Sequence, residues 1–457
     1  MSQLGNSPAS RDIAYLFHGY TDHEAHKEQG PHILQGGKGI YVYDDTGKEF
    51  IEGMAGLWCT SLGYGEERLV NVATEQLRKL AYSHLFAGKS HDPAIDLAER
   101  LVEMAPVPMS KVFFNNSGSE GNDTVVKMVW YYNNAVGRPE KKKIISRIKG
   151  YHGVTVASAS LTGLPNNHRD FDLPIANILH TSCPHYYRFG EDGESEGDFA
   201  TRCAAELESM ILEEGPETVA AFIAEPVMGA GGVIVPPKTY FEKIQAVLRK
   251  YDVLFIADEV ICGFGRTGNT WGSQTFDLKP DMITCAKALS SAYLPISAVM
   301  INENVAEPIV ANSGKIGTLG HGYTYMGHPV AAAVALETLE IYQERDIMGH
   351  VAAIGPMMQR RLAGYSDHPL VGEVRGVGLV GALEFVKDKE TKEAFDPAGK
   401  VGAYLVDRAK DQGLILRNIV DSVAFSPPLI ISAMQLESVF DRFDKALEET
   451  VEFAAAL

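Results

Sequence analysis

The sequence predicts an α/β protein in which a large domain built on a mostly parallel sheet is completed by a smaller α+β domain from both chain ends. Three observations carry this. Six short apolar runs, "KVFFNN" (111–116), "KKIISR" (142–147), "VAAFIAEPV" (219–227), "VLFIADEV" (253–260), "DMITCA" (281–286) and "ISAVMIN" (296–302), alternate with amphipathic stretches such as "YFEKIQAVLRKY", as in a doubly wound sheet with helices on both faces. Before them, "GKGIYVYDDTGKEFIEGMAGLW" alternates apolar and polar residues around a turn signal at Asp44 to Gly47, which reads as a β-meander. After about residue 330 come an Ala-rich helix (329–344), a two-strand segment "EVRGVGLVGALEF", a helix near 398–412, "LILRNIVDSVAFSPPL" and a terminal helix. The small domain is therefore assigned to 1–75 and 326–457, and the large one to 76–325.

Between these landmarks, helical periodicity covers 66–80, 93–104 and 120–135. The acid- and glycine-rich "FGEDGESEGDF" (189–199) lacks the alternating Asp/Asn spacing of a calcium loop and reads as a solvated surface loop. The formal charge of −18 argues against nucleic acid or an anionic membrane as a partner, because either would repel it. The five cysteines are scattered with no CxxC pair, so neither a disulfide framework nor a metal site is indicated. With no basic leader followed by an apolar stretch, and no apolar run of bilayer length, the expected location is the cytoplasm.

The segment "VLFIADEVICGFGRTG" (253–268) poses the choice of ligand. Its glycines match G-x-G-x-x-G, as does "GVGLVG" at 376–381. A dinucleotide site needs a helix directly after the glycines and an acid about 20 residues further on. "NTWGSQTFDLKPD" has no helical period and "ALEFV" reads as strand, so both matches are read as turns and close-packed backbone.

A better anion site lies where the strand ending at Asn115 or Asn116 meets the helix beginning near Glu120. Ser117, Gly118 and Ser119 occupy that helix N-terminus, where free N–H groups and the dipole favour a phosphate, although plain capping by Ser117 or Ser119 explains the residue types equally well. Asp258 and Lys287 each end a strand on the ligand side of the sheet. A buried lysine is a competent amine nucleophile, and a buried carboxylate needs a cationic partner. Pyridoxal phosphate uses all three sites: its aldehyde meets the lysine, its ring nitrogen the aspartate, its phosphate the helix end. Tyr151, in "GYHG", is the aromatic to cover the ring.

The motifs "NNSGSEGNDT", "KGYHG", "AEPV", "ADEVICGFGRTG", "CAKALSSAYLPISAVM" and "HGYTYMGHPVAAA" resemble those of the class III, fold-type-I pyridoxal-phosphate aminotransferases over nearly the whole length. The resemblance implies a seven-stranded, mostly parallel sheet and a homodimer, or a tetramer, with active sites at the interface. It makes Lys287 the Schiff-base lysine and Asp258 the partner of the pyridine nitrogen, with Val260 behind the ring and Tyr151 in front. Gly118 and Ser119 bind the phosphate, joined by Thr324 of the neighbouring subunit, and His152 and Glu225 support the cofactor. Gly121 stands where the family usually has alanine, a conservative change, and Ala292 where it usually has glycine.

The ornithine and 4-aminobutyrate branch typically carries a glutamine, a glutamate and an arginine where this sequence has Ile261, Ala230 and Ala424. Arg417 lies seven residues before Ala424, and Trp58 in "GLWC". That combination is similar to the amine:pyruvate aminotransferases, or ω-transaminases, in which a mobile arginine pairs with the carboxylate of the keto acid and swings away for an amine. In that branch Trp58, Phe86, Tyr151 and Arg417 line the substrate pocket. The implied reaction moves an amino group from a small-molecule amine to pyruvate. The rivals are a 2-oxoglutarate-dependent ω-amino-acid aminotransferase, a decarboxylase or aminomutase, and a dinucleotide oxidoreductase.

Overall fold

The structure, a computed structural model, describes residues 6–457. Strands β1 (Leu34–Lys38), β2 (Tyr41–Asp44) and β3 (Glu49–Glu52) form an antiparallel meander. Asp44 closes the turn between the last two: its Oδ1 accepts from the Thr46 N–H, the Thr46 hydroxyl and the Lys48 N–H at 2.9, 2.7 and 2.9 Å, the local side-chain bonding that favours Asp in turns.

Seven strands form the large sheet: β4 (Lys111–Asn115), β5 (Lys143–Arg147), β6 (Ile178–Thr181), β7 (Val219–Ala224), β8 (Leu254–Asp258), β9 (Met282–Cys285) and β10 (Ser297–Ile301), in the spatial order β4-β10-β9-β8-β7-β5-β6. The run from β6 to β9 is parallel, and only β10 opposes its neighbours β9 and β4. Every residue of β7, β9 and β10 is buried, because helices cover both faces; hence the unbroken apolar runs. β6, "ILHT", is the one strand of this sheet outside the six apolar runs. Four residues, two of them polar, are too few to show a period.

The C-terminal part contributes β11 (Val371–Val377), β12 (Val380–Phe385), β13 (Leu414–Ile415), β14 (Arg417–Ile419) and β15 (Ser422–Phe425). β13 pairs in parallel with β3, Leu414 opposite Ile51, so the two chain ends share one sheet. The remaining four strands are ordered β11-β12-β15-β14. The helices expected over 66–80, 93–104, 120–135, 329–344 and 398–412 are Glu67–Lys79, Asp92–Glu103, Gly118–Ala135, Pro329–Glu344 and Lys400–Asp411. The acid-rich insert departs from the surface-loop reading: Ser195 caps a helix, Glu196–Glu214, so 196–199 are its first turn. Glu196 and Asp198 suit that position because acids are stabilised at the positive end of the helix dipole.

The two glycine motifs are each other's packing partners. Gly378, at φ 58°, turns β11 into β12, and a Cβ there would lie 2.5 Å from the Thr267 carbonyl carbon. The Leu379 N–H donates to the Arg266 carbonyl at 3.0 Å, and the buried Arg266 guanidinium donates to the carbonyls of Leu379 and Pro427 at 3.0 and 2.6 Å. Beyond Gly268 the chain forms only a single helical turn, Gly272–Thr275, too short to aim a helix end at a pyrophosphate.

Glu52, at the end of β3, is buried with its Oε1 accepting the Met54 N–H at 3.0 Å, and burial pushes its carboxyl up to about 7 from an ordinary 4.5. A raised folded-state value means that the folded chain holds the extra proton between these limits. The stability it contributes is complete below the unfolded value and lost as pH rises through about 7. Between about pH 5.5 and 8 the melting temperature of the wild type is therefore expected to fall relative to that of Glu52→Gln. Parallel pH profiles of the two proteins in a thermal melt would refute this.

Candidate active site

The carboxyl edge of the large sheet collects the candidate residues because each sits just after a strand. Asp258 ends β8, Lys287 follows β9, Glu225 follows β7, Tyr151 and His152 follow β5, and Ser117 to Ser119 follow β4. Parallel strands bring their carboxyl ends to one side, which turns a separation of more than a hundred residues into adjacency.

Asp258 is 3 % exposed and its carboxylate is held from three directions. Oδ2 accepts from Asn122 Nδ2 at 2.8 Å and His152 Nδ1 at 2.7 Å, and Oδ1 from the Val260 N–H at 3.1 Å. A carboxylate accepts only, so the His152 proton shared with it is on Nδ1. Asn122 also donates to the His152 carbonyl at 2.7 Å, tying helix Gly118–Ala135 to the loop after β5. Asn122 was not singled out in the sequence. Its place four residues after Gly118, on the same helix face, was the available signal.

Glu225, buried, accepts the Tyr151 N–H on one oxygen and the Gly229 N–H on the other, both at 2.9 Å. Burial raises its carboxyl above the ordinary value. Its contact is with the backbone that carries Tyr151, which positions that ring.

Lys287 opens a short 3₁₀ turn, Lys287–Ser290, at φ 52°, a left-handed conformation costly for a residue with a Cβ. Desolvation pushes its amine below the ordinary lysine value; Cys59, Asp258 and Glu225 pull it back up, and Arg417 pushes it down. Among the described residues no carboxylate lies within 4.0 Å of it, so the depression leaves it a nucleophilic amine. Cys59, beside it, was also missed, since it gave no signal beyond its neighbour Trp58. The loop continues through Ser291 and Ala292 at φ 49° and 62°, which explains why glycine suits position 292.

At the helix end, the Ser117 hydroxyl accepts the Glu120 N–H at 3.2 Å and so acts as the cap. The N–H groups of Gly118 and Ser119 begin the helix and have no acceptor within it. The Ser119 hydroxyl accepts the Val154 N–H at 3.1 Å. A Cβ on Gly118 would come within 3.1 Å of both Val260 methyl groups, so backbone and Val260 enclose a space that only glycine leaves open.

Gly121 is not the conservative position the sequence suggested. An alanine Cβ there would lie 2.8 Å from the Thr284 methyl on the fully buried β9. Overpacking costs about 1–3 kcal/mol, against about 1 kcal/mol gained from helix propensity. Gly121→Ala is expected to lower the melting temperature, and Gly121→Ala with Thr284→Ser to restore it. Additive effects in that double-mutant cycle would refute the contact.

The substrate-side residues divide into two groups. Arg417, half-buried at the start of β14, lies directly opposite Ala424 on β15. Residues so paired project on one face, so the turn formed by the six intervening residues returns Arg417 to the strand position beside Ala424. Among the described residues it has no carboxylate within 4.0 Å, and its charge is felt at Lys287 and at Tyr151. Burial, then the neighbouring Tyr20, raises the Tyr151 phenol. Tyr20, whose hydroxyl accepts from Asn167 Nδ2 at 2.6 Å, is a third residue the sequence did not reveal, lying as it does far from any motif. Trp58 is 2 % exposed and packs with Met54, Val227, Ile261 and Ala424.

Phe86 and Thr324 stand elsewhere. Phe86, 43 % exposed, lines a cavity of about 1090 Å³ with Phe113, Lys127, His321, Gly322 and Met326, and none of Lys287, Asp258 and Tyr151 borders it. Thr324 is exposed two residues from Gly322, its carbonyl accepting from the Tyr82 hydroxyl at 2.8 Å.

A free helix-end N–H pair walled by Val260, a fixed carboxylate and a desolvated amine suit one small molecule with a phosphate, a basic ring nitrogen and an aldehyde. That defines the class: a pyridoxal-phosphate-dependent transferase of fold type I. Residues 23–447 match the family Aminotransferase class-III. The omega transaminase from Pseudomonas jessenii in complex with PMP superposes with a TM-score of 0.97 at 57% identity, over 98% of this chain and 99% of that one. A thermostable variant, W58M/F86L/R417L, engineered for asymmetric synthesis of enantiopure bulky amines, gives 0.97 at 56%, over 98% and 100%. The chloroplastic gamma aminobutyrate transaminase 3 of Solanum lycopersicum is 53% identical over 92% of this chain and 81% of its own length. The chain belongs to the class III aminotransferases and is a pyridoxal-phosphate-dependent aminotransferase.

Proposed function

We propose that this enzyme transfers the amino group of a primary amine, whether diamine, ω-amino acid or arylalkylamine, to pyruvate, giving an aldehyde or ketone and alanine. The observation that carries the reading is Arg417 opposite Ala424, a cation with no carboxylate partner among the described residues, close to the buried Trp58 and Ala424. Support comes from the solved omega transaminases, one of them altered at W58, F86 and R417 for bulky amines, the residue types and numbers found here.

Bound at this site, the cofactor supplies an electron-withdrawing ring and the carbon that carries the amino group between substrates. Gly118 and Ser119 hold the phosphate by backbone N–H groups. Asp258, fixed by Asn122, His152 and the Val260 N–H, keeps the proton on the ring nitrogen. Lys287 Nζ would take the proton from the substrate carbon as base and, as acid, deliver it across the intervening nitrogen to the cofactor carbon that carries the amino group. Arg417 pairs with the carboxylate of pyruvate and turns aside for an amine. Phe86 and Thr324, apart from their own Lys287, complete the site of a second copy, making the working unit a homodimer.

A second reading rests on the curated relatives, which are gamma aminobutyrate transaminases: the donor is 4-aminobutyrate, with pyruvate or 2-oxoglutarate as acceptor. Cofactor-loaded protein offered putrescine, β-alanine, 4-aminobutyrate or (S)-1-phenylethylamine, with either acceptor, separates the two. Alanine from the non-carboxylate amines is the expected result. Glutamate alone would overturn the pyruvate reading.

A further inference from the structure

The N-terminal segment folds as two short helices, Pro8–Tyr15 and His23–Gln29, and three side chains converge between them. Asp12, on the first helix, meets His18 in the link and His26 on the second. His18 Nε2 lies 2.9 and 3.0 Å from the two carboxylate oxygens, and His26 Nε2 lies 2.9 Å from Oδ1. The imidazole rings stand 4.6 Å apart. The side chains retain only 16, 30 and 12 % exposure for Asp12, His18 and His26. Among the described residues no lysine or arginine lies within 4.0 Å of Asp12, and neither Nδ1 is engaged.

We propose that Asp12, His18 and His26 form a binding site for a divalent transition metal of the zinc class, which clamps the two N-terminal helices together. Two imidazole nitrogens and a carboxylate are a borderline-soft donor set suited to Zn²⁺, Ni²⁺ or Co²⁺ rather than Mg²⁺ or Ca²⁺. Ligand atoms about 2.0–2.1 Å from such an ion lie about 2.9–3.4 Å from one another, and both Nε2 atoms lie 2.9 Å from Oδ1, so the donors are already gathered and the ion enters as the two rings turn off their hydrogen bonds to the carboxylate. Each neutral imidazole moves its single proton from Nε2 to Nδ1, freeing the lone pair that faces the ion; no net proton or electron is transferred, and water takes the open positions.

The other convergence of this kind, His185 with Glu373 and Glu384, is already served by a cation of the chain: Arg375 Nη1 lies 2.6 Å from both carboxylates. Asp12 has no such arginine or lysine among the described residues. Its location gives the site a consequence for the active centre. Tyr20, between the two histidine ligands, accepts from Asn167 and lies against Tyr151, so a metal that stiffens the helix pair stiffens one wall of the substrate entrance.

The test is isothermal titration of tag-free holoenzyme with ZnCl₂, together with limited proteolysis of the N-terminal segment with and without zinc. One zinc per chain, bound with a micromolar or lower dissociation constant, and zinc-dependent protection of the segment are expected; Asp12→Asn and His26→Gln should each weaken binding at least about tenfold. Absence of saturable binding up to about 100 μM zinc, or equal binding by wild type and both variants, would overturn the proposal. The wild-type comparison with and without zinc stands even if a variant loosens the segment through loss of a hydrogen bond.

Discussion

Lys287→Ala is expected to lower transamination by at least about 10³-fold, because it removes both the amine nucleophile and the group that moves the substrate proton, a step worth about 10²–10⁴ by itself. Cofactor retention should change far less. The Gly118 and Ser119 N–H groups and the Asp258 carboxylate are left intact, and all three lie on other elements. Borohydride treatment followed by mass spectrometry should attach the cofactor covalently to the wild type and not to the variant. Turnover that survives the substitution would remove Lys287 from the chemistry, whatever the rest of the site does.

Arg417→Ala is expected to separate the two half-reactions. A hydrogen-bonded pair with a charged partner contributes about 1.5–3 kcal/mol, so kcat/KM for pyruvate should fall roughly 10- to 150-fold. For a non-carboxylate amine it should change little or rise. Among the described residues Arg417 has no carboxylate partner and is half-buried, so its removal leaves no buried carboxylate unpaired there and the loss falls on the keto acid. Equal losses for amine and keto acid would make Arg417 a structural residue and would refute a retractable carboxylate binder.

The large sheet was legible because its strands are buried on both faces and so read as uninterrupted apolar runs. β6 was not, being four residues long with polar side chains at half its positions. The first turn of Glu196–Glu214 reads as loop in the sequence because acids that serve a helix N-terminus look the same there as acids that serve solubility. Asp258 and Lys287 could be selected from residue type and place alone, since charge at the buried end of a strand demands a reason. Cys59 and Tyr20 could not, and Asn122 offered only its place on the helix face of Gly118. Their importance lies in what they touch, and each touches a residue distant in the sequence.

What this sequence determined by itself was the kind of chemistry: a lysine and an aspartate at strand ends, and small residues opening a helix, limit the ligand because side-chain type and strand position are local properties. What only the tertiary structure decided was which of several equivalent local readings holds. It made the two glycine motifs a packing pair, turned a conservative Gly121 into a tight contact with Thr284, and set Arg417 opposite Ala424. It also gathered Phe86 near Thr324 instead of Lys287. Those outcomes depend on strand register and on close packing between segments far apart in the chain, and neither is written in the residues of one segment alone.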